Sequence, residues 1–91
     1  MATVRITKIK QTPLLVVLKV EGAVVSESGR VVEEECLGWF GQKKTIQLDF
    51  SGVTYIDHSG VEMLKRMTQS NLRIIHCPDF IQHLLNLKDR E

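Results

Sequence analysis

No apolar run in this chain approaches the roughly 18 residues that a membrane-spanning helix needs. The longest, Leu14–Leu18, has the length of a strand, so no direct membrane insertion is expected. Cysteine is scarce. Cys36 and Cys77 are the only two, and their separation is not that of a metal-ligand pair. A reduced cytoplasmic thiol pair is the expectation, with no disulfide framework. An excess of one charge is also missing: 12 Lys+Arg stand against 11 Asp+Glu, for a net charge of +1. Electrostatics therefore gives no reason to expect nucleic acid or an anionic membrane as partner. Met1-Ala2-Thr3-Val4-Arg5 holds no apolar signal segment, and nothing in it suggests export. No repeat or linker divides the 91 residues, which suit one domain, 1–91, with a modest core. No Gly-rich phosphate loop, nucleophile–base pair or paired catalytic carboxylates can be assigned. The expectation is a non-enzyme with no cofactor and no resident metal.

What is present is a regular alternation of strand and helix patterns. Val4, Ile6 and Ile9 mark a half-buried edge strand with a basic outward face. Gln11-Thr12-Pro13 reads as a turn, and Leu14–Val20 as a strand covered on both faces. So short a connection predicts an antiparallel hairpin. Glu21-Gly22-Ala23 should leave the sheet. Ser26 or Ser28 would cap a helix whose apolar face is Val32, Cys36, Trp39 and Phe40, with Gly41 as a left-handed cap. Glu33-Glu34-Glu35 would cover its solvated side. Leu72, Ile74 and Ile75 predict a last strand. Pro78 then opens a helix with Phe80, Ile81, Leu84, Leu85 and Leu87 inward, followed by a polar end at Lys88–Glu91. Val16, Leu48, Leu64 and Leu84 are predicted core positions. The order is β-β-α-β-α-β-α: an α/β fold with a mixed four-stranded sheet, three strands parallel, covered by helices.

The stretch Thr45–Met67 organises this pattern. Ile46, Leu48 and Phe50 alternate with polar residues as a strand does, Ser51-Gly52 breaks the run, and Val53–Ile56 forms a second short piece. Asp57-His58-Ser59-Gly60 is a polar loop before a helix carrying Val61, Leu64 and Thr68 with Met63 and Met67 beside them. Ser59 and Glu62 have the spacing of a capping box, which makes Ser59 the predicted cap. In open sheets, sites gather beyond the carboxyl ends of parallel strands. Asp57–Gly60 and His76-Cys77 both fall there.

The run Leu48-Asp49-Phe50-Ser51-Gly52-Val53-Thr54-Tyr55-Ile56-Asp57-His58-Ser59-Gly60-Val61 resembles the signature of the STAS domain, the family of bacterial anti-sigma factor antagonists. Asp49, Ser51, Asp57, Ser59 and Gly60 match in register, and Gly22 resembles the family's glycine after the second strand. The matched element order spans about residues 4 to 87. The resemblance implies a cytoplasmic protein-interaction module of signalling and transcription regulation. Its partner would be a serine-kinase-like ATP-binding anti-sigma factor. The implied contact residues are Asp57, His58, Ser59, Gly60, Glu62 and Gly22. In such members the serine directly after the aspartate is the phosphoacceptor; here that position is His58. An alternative is a constitutive accessory subunit, like the small STAS protein of a lipid-transport ATPase. Oligomeric state is left open.

Each candidate also has a plainer reading. Asp57 could be a loop cap near the positive end of the helix. Ser59 could be phosphorylated in place of the missing serine, but a capping hydroxyl needs no such chemistry. His58 could change charge near neutral pH, meet a partner or sit idle in solvent. Asp57, His58, His76 and Cys77 are a conceivable Zn²⁺ set, without the short ligand pair such a site favours.

Overall fold

The computed structural model describes residues 3–85. Its elements are β1 (Val4–Gln11), β2 (Leu15–Val24), α1 (Ser26–Phe40), β3 (Thr45–Ile56), α2 (His58–Met67), β4 (Leu72–Ile75) and α3 (Asp79–Leu85). The strands form one four-stranded sheet in the order β1-β2-β3-β4. β1 runs antiparallel to β2, and β2, β3 and β4 are mutually parallel. The predicted α/β architecture and element order are those observed.

Both parallel crossovers step the same way across the sheet, so right-handed connections put α1 and α2 on the same face. Burial agrees. Val16, Ile46 and Leu72 lie in one cross-strand row, and Leu18, Leu48 and Ile74 in the next. All but the half-buried Ile74 are buried. They share one cluster with Val32 and Cys36 of α1, Val61, Met63, Leu64 and Met67 of α2, and Ile81 and Leu85 of α3. The alternate residues Leu15, Val17 and Lys19 are only half buried. β2 is therefore covered on one face, not two: its apolar run overstated its burial.

Other local expectations are corrected. β2 does not stop at Glu21-Gly22-Ala23 but continues to Val24. Gly22 makes this possible. It holds φ +104°, and a Cβ there would stand 2.5 Å from the Thr3 carbonyl oxygen. A side chain would suffer both the backbone conformation and the contact. β3 likewise runs unbroken through Ser51-Gly52. Its pairing with β2 shifts between Lys19 and Glu21 and again between Gly22 and Ala23. Bulges absorb the extra residues and sharpen the local twist. The Ser51 N–H donates to Asp49 Oδ1 at 2.9 Å and secures the first shift. Gly41 closes α1 in the right-handed region (φ −61°), and the left-handed residue is Lys43 at φ 62°.

The predicted core positions Val16, Leu48 and Leu64 are fully buried, whereas Leu84 is 47% exposed. In α3, Ile81 and Leu85 face the core, so Phe80 and Leu84 turn outward. Leu87 and Lys88–Glu91 lie outside the described residues. Among the described residues no helix is long and apolar enough to cross a membrane.

Candidate partner-binding site

α1 and α2 each follow a parallel strand, so both begin at the same end of the sheet. β2 and β3 end side by side, with Val24 paired to Ile56. The Asp57 N–H then donates to the Val24 carbonyl at 3.2 Å. From that fixed backbone the Asp57 carboxylate accepts from the Gly60 N–H at 2.8 Å, and Asp57 is the N-cap of α2. A carboxylate is favoured there because the first turn leaves N–H groups unpaired and carries the positive end of the helix dipole.

This overturns the predicted capping role of Ser59. Helix α2 starts at His58, leaving Asp57 as the only residue of the four outside it. Ser59 lies inside the first turn, and its exposed hydroxyl accepts from Ser26 Oγ at 3.3 Å. Ser28 performs the reciprocal task in α1. Its hydroxyl accepts from the Val25 N–H at 3.0 Å and donates to the Ala23 carbonyl. Replacing Asp57 with Ala should lower stability by about 0.5–2 kcal/mol. Ser59→Ala should change it by less than about 0.5 kcal/mol, as at ordinary surface positions. Urea denaturation of the two variants checks the order, and an equal or larger loss for Ser59→Ala would return the cap to the serine.

Gly60 is buried against the sheet. A Cβ there would stand 2.5 Å from the Val24 carbonyl oxygen and 2.8 Å from Ile56 Cγ1. Its role is the close approach of α2 to β2 and β3, so it is a packing residue, not part of the exposed contact set. Gly22 is a backbone residue of β2 for the reason given above. The exposed members are His58, Ser59 and Glu62, with Asp57 half buried beneath them.

Two grooves flank this ridge. One, of about 320 Å³, lies between α1 and α2; Ser26, Arg30, Glu33, Ser59, Glu62 and Arg66 give it polar walls, with Gly29 and Met63 also lining it. Arg66 donates to Glu33 across it at 3.2 Å. The other, of about 360 Å³, lies between the end of β3, α2 and α3; Tyr55, Ile56, Val61 and Leu84 give it an apolar lining. Its polar lining residues are Asp57, His58, Glu62 and Lys65. His58 Nε2 stands 3.9 Å from Glu62 Oε2, one helical turn away. The sequence reading missed Ser26, Arg30, Arg66 and Tyr55. The signal for the first was available: two helices entering from adjacent parallel strands must start together.

Asp49 and Ser51 form a separate structural pair. Partial burial alone would raise the Asp49 pKa. The Ser51 N–H and hydroxyl, with His76 and Lys19 nearby, outweigh this and hold the carboxyl below its ordinary value. Among the described residues, no three His, Cys, Asp or Glu side chains are grouped to hold a metal ion. The structure does not assemble Asp57, His58, His76 and Cys77 into a ligand set. Burial, and after it the Asp79 carboxylate, pushes the Cys77 thiol up to about 11. Burial, then Glu35 and Glu33, pushes Cys36 to about 12. Both thiols stay protonated at neutral pH, which disfavours thiolate chemistry.

Among curated proteins, none matches this chain. A family model described as "Mlab, STAS domain" matches residues 8–89. That span takes in the second half of β1 and every later strand and helix described, including the Asp49–Ser51 pair in β3 and the capped start of α2. The chain therefore belongs to the STAS domain family, whose members mediate protein–protein interactions.

Proposed function

We propose that this chain is a non-catalytic binding module that docks on a kinase-like, ATP-binding partner of the anti-sigma type. The contact surface is the start of α2: His58, Ser59 and Glu62, supported by Asp57. One observation carries the reading. The Asp57 cap spends itself on holding the helix, and it leaves His58 (side chain 89% exposed), Glu62 (51%) and Ser59 facing solvent. Position 58 has no hydroxyl, so a stable serine-type phosphate ester cannot form there. A phosphate would add about −1.5 to −2 charge beside Asp57, and the module lacks that switch at this position. Ser59 is the hydroxyl that remains in the stretch, and its freedom from capping makes it the alternative acceptor.

A second reading is a constitutive accessory subunit of a lipid-transport ATPase. The missing acceptor at position 58 favours it, as does a match to a model of the Mlab STAS domain. Both readings use the same surface and differ in the partner.

The test uses the full chain and a purified ATP-binding protein of the anti-sigma kinase class. His58→Glu and Glu62→Lys are expected to lower recovery in a pull-down at least tenfold. Arg73→Glu, on the open face of the sheet, should leave it unchanged. If neither of the first two variants weakens binding, the start of α2 is not the interface. Incubation with the partner and ATP, followed by mass spectrometry, addresses the switch. Stoichiometric phosphate on Ser59 with loss of binding would defeat the unswitched reading.

A further inference from the structure

Parallel strands are normally covered on both faces. In this sheet all three helices share one cluster with the inward residues of β2, β3 and β4. Among the described residues no helix lies on the opposite face, yet that face is not polar throughout. Leu15 and Val17 of β2 and Ile75 of β4 lie on it, half buried. The register shift between Lys8 and Lys10 sets Lys10 opposite Val17, with the 57% exposed Ile9 as the extra residue beside it. Cross-strand pairing then lines up Lys10, Val17, Gln47 and Arg73 in one row across all four strands. The next row on this face is Thr7, Lys19, Asp49 and Ile75, and beyond it Arg5 stands opposite Glu21.

The charges on this face are unevenly placed. Arg5 meets Glu21 and Lys19 meets Asp49, so those rows are balanced. The row of Val17 has a cation at each end and no carboxylate. Lys10 and Arg73 are both exposed, and the ion pairs of the described residues, His58–Glu62 and Arg66–Glu33, involve neither. β1 and β4 stand three strand spacings apart, about 14 Å. An α-helix with its side chains is about 10–12 Å across. A helix laid along β2 and β3 would rest on Leu15 and Val17, with Lys10 on one flank and Arg73 on the other. From Leu15 to Glu21, β2 offers about 20 Å, room for about 13 helical residues.

We infer that the open face of the sheet is a second docking surface, and that its occupant is an amphipathic helix of a partner protein with acidic residues on both sides of an apolar stripe. Charge complementarity selects that occupant. A second copy of this chain is a poorer match, because the carboxylates of its own open face, Glu21 and Asp49, already stand opposite Arg5 and Lys19. The open face is on the far side of the sheet from the α1–α2 groove, so both surfaces can be filled at once. The inference does not rest on the reading of the start of α2.

The probe is a synthetic helix of about 18 residues, built from Leu, Ala and Glu with a leucine stripe between two rows of glutamate. It is titrated into the isotopically labelled full chain and followed by NMR. The amides of Val17, Lys19, Gln47 and Arg73 are expected to shift, and those of Ser26, Ser59 and Glu62 to stay still, with a Kd of about 1 mM or tighter. The same peptide with lysine in place of glutamate should bind about tenfold more weakly. Lys10→Glu and Arg73→Glu should each weaken the glutamate peptide and strengthen the lysine peptide. Both replaced side chains are exposed, and an unchanged amide spectrum elsewhere confirms the fold. Equal binding of the two peptides, shifts confined to the α1–α2 groove, or no shifts at all would overturn the inference. So would open-face amides that move on dilution of the free chain, which gives the face to a second copy. Movement of those amides on removal of residues 86–91 would likewise overturn it and give the face to the chain's own end. Arg73→Glu is expected to be silent in the pull-down and harmful here, so failure of one reading is distinguishable from failure of the other.

Discussion

Replacing Leu64 with Ala is expected to lower the stability of this protein by about 2–5 kcal/mol. Leu64 is 0% exposed and belongs to the cluster that joins α2 to the sheet. The loss combines the transfer free energy of the removed atoms with the cost of the cavity they leave. The neighbours that could collapse into that space are Val61 and Met67 on the same helix and the inner row of β3. Met67 is flexible and fills gaps well, so some recovery is expected. A chain of this size has little stability to spare, since small domains rest on about 5–15 kcal/mol in total. Chemical denaturation should show a lower midpoint with little change in slope. A loss below roughly 0.5 kcal/mol would mean that Leu64 does not anchor α2.

The second large effect is expected at Gly60. In a free helix, Gly→Ala should help by about 1 kcal/mol. Here the added Cβ would lie 2.5 Å from the Val24 carbonyl oxygen and 2.8 Å from Ile56 Cγ1. The carbonyl cannot move independently, because it accepts from the Asp57 N–H that positions the cap. Relief requires α2 to back away from the sheet, and overpacking of this kind costs about 1–3 kcal/mol. A net loss of that order is therefore expected in spite of the gain in helix propensity. The same displacement should disturb the Asp57–Gly60 hydrogen bond, so partner recovery should fall with stability. A Gly60→Ala chain as stable as the parent would show that the approach of α2 is not tight.

Much of the fold was legible because each element buries one face. Ile46, Leu48 and Phe50 at period two, and Val61, Leu64 and Thr68 at helical spacing, need no tertiary information to be read. The order β-β-α-β-α-β-α followed, and with it the mixed sheet and the end of the sheet where the candidate site lies. The failures fall where two local rules compete. Ser51-Gly52 carries breaker residues, yet β3 continues because paired neighbours on β2 tolerate a bulge. Glu21-Gly22-Ala23 reads as an exit, yet the same pairing carries β2 to Val24. Phe80 and Leu84 belong to an apolar pattern that includes Ile81 and Leu85, and a short helix can bury only part of it.

The site divides in the same way. The Asp57-His58-Ser59-Gly60 run, the family it belongs to and the missing hydroxyl at position 58 were determined by the sequence alone, because they concern identity and register. Tertiary structure decided which oxygen caps α2. Asp57 and Ser59 are both competent caps, two residues apart, and local propensity does not separate them. The choice was made by the Val24 carbonyl, which fixes the Asp57 backbone and so sets where the helix begins. Tertiary structure alone also brought Ser26 to Ser59 and Arg66 to Glu33. Each pair is 33 residues apart, and only the shared direction of two parallel crossovers places them in contact.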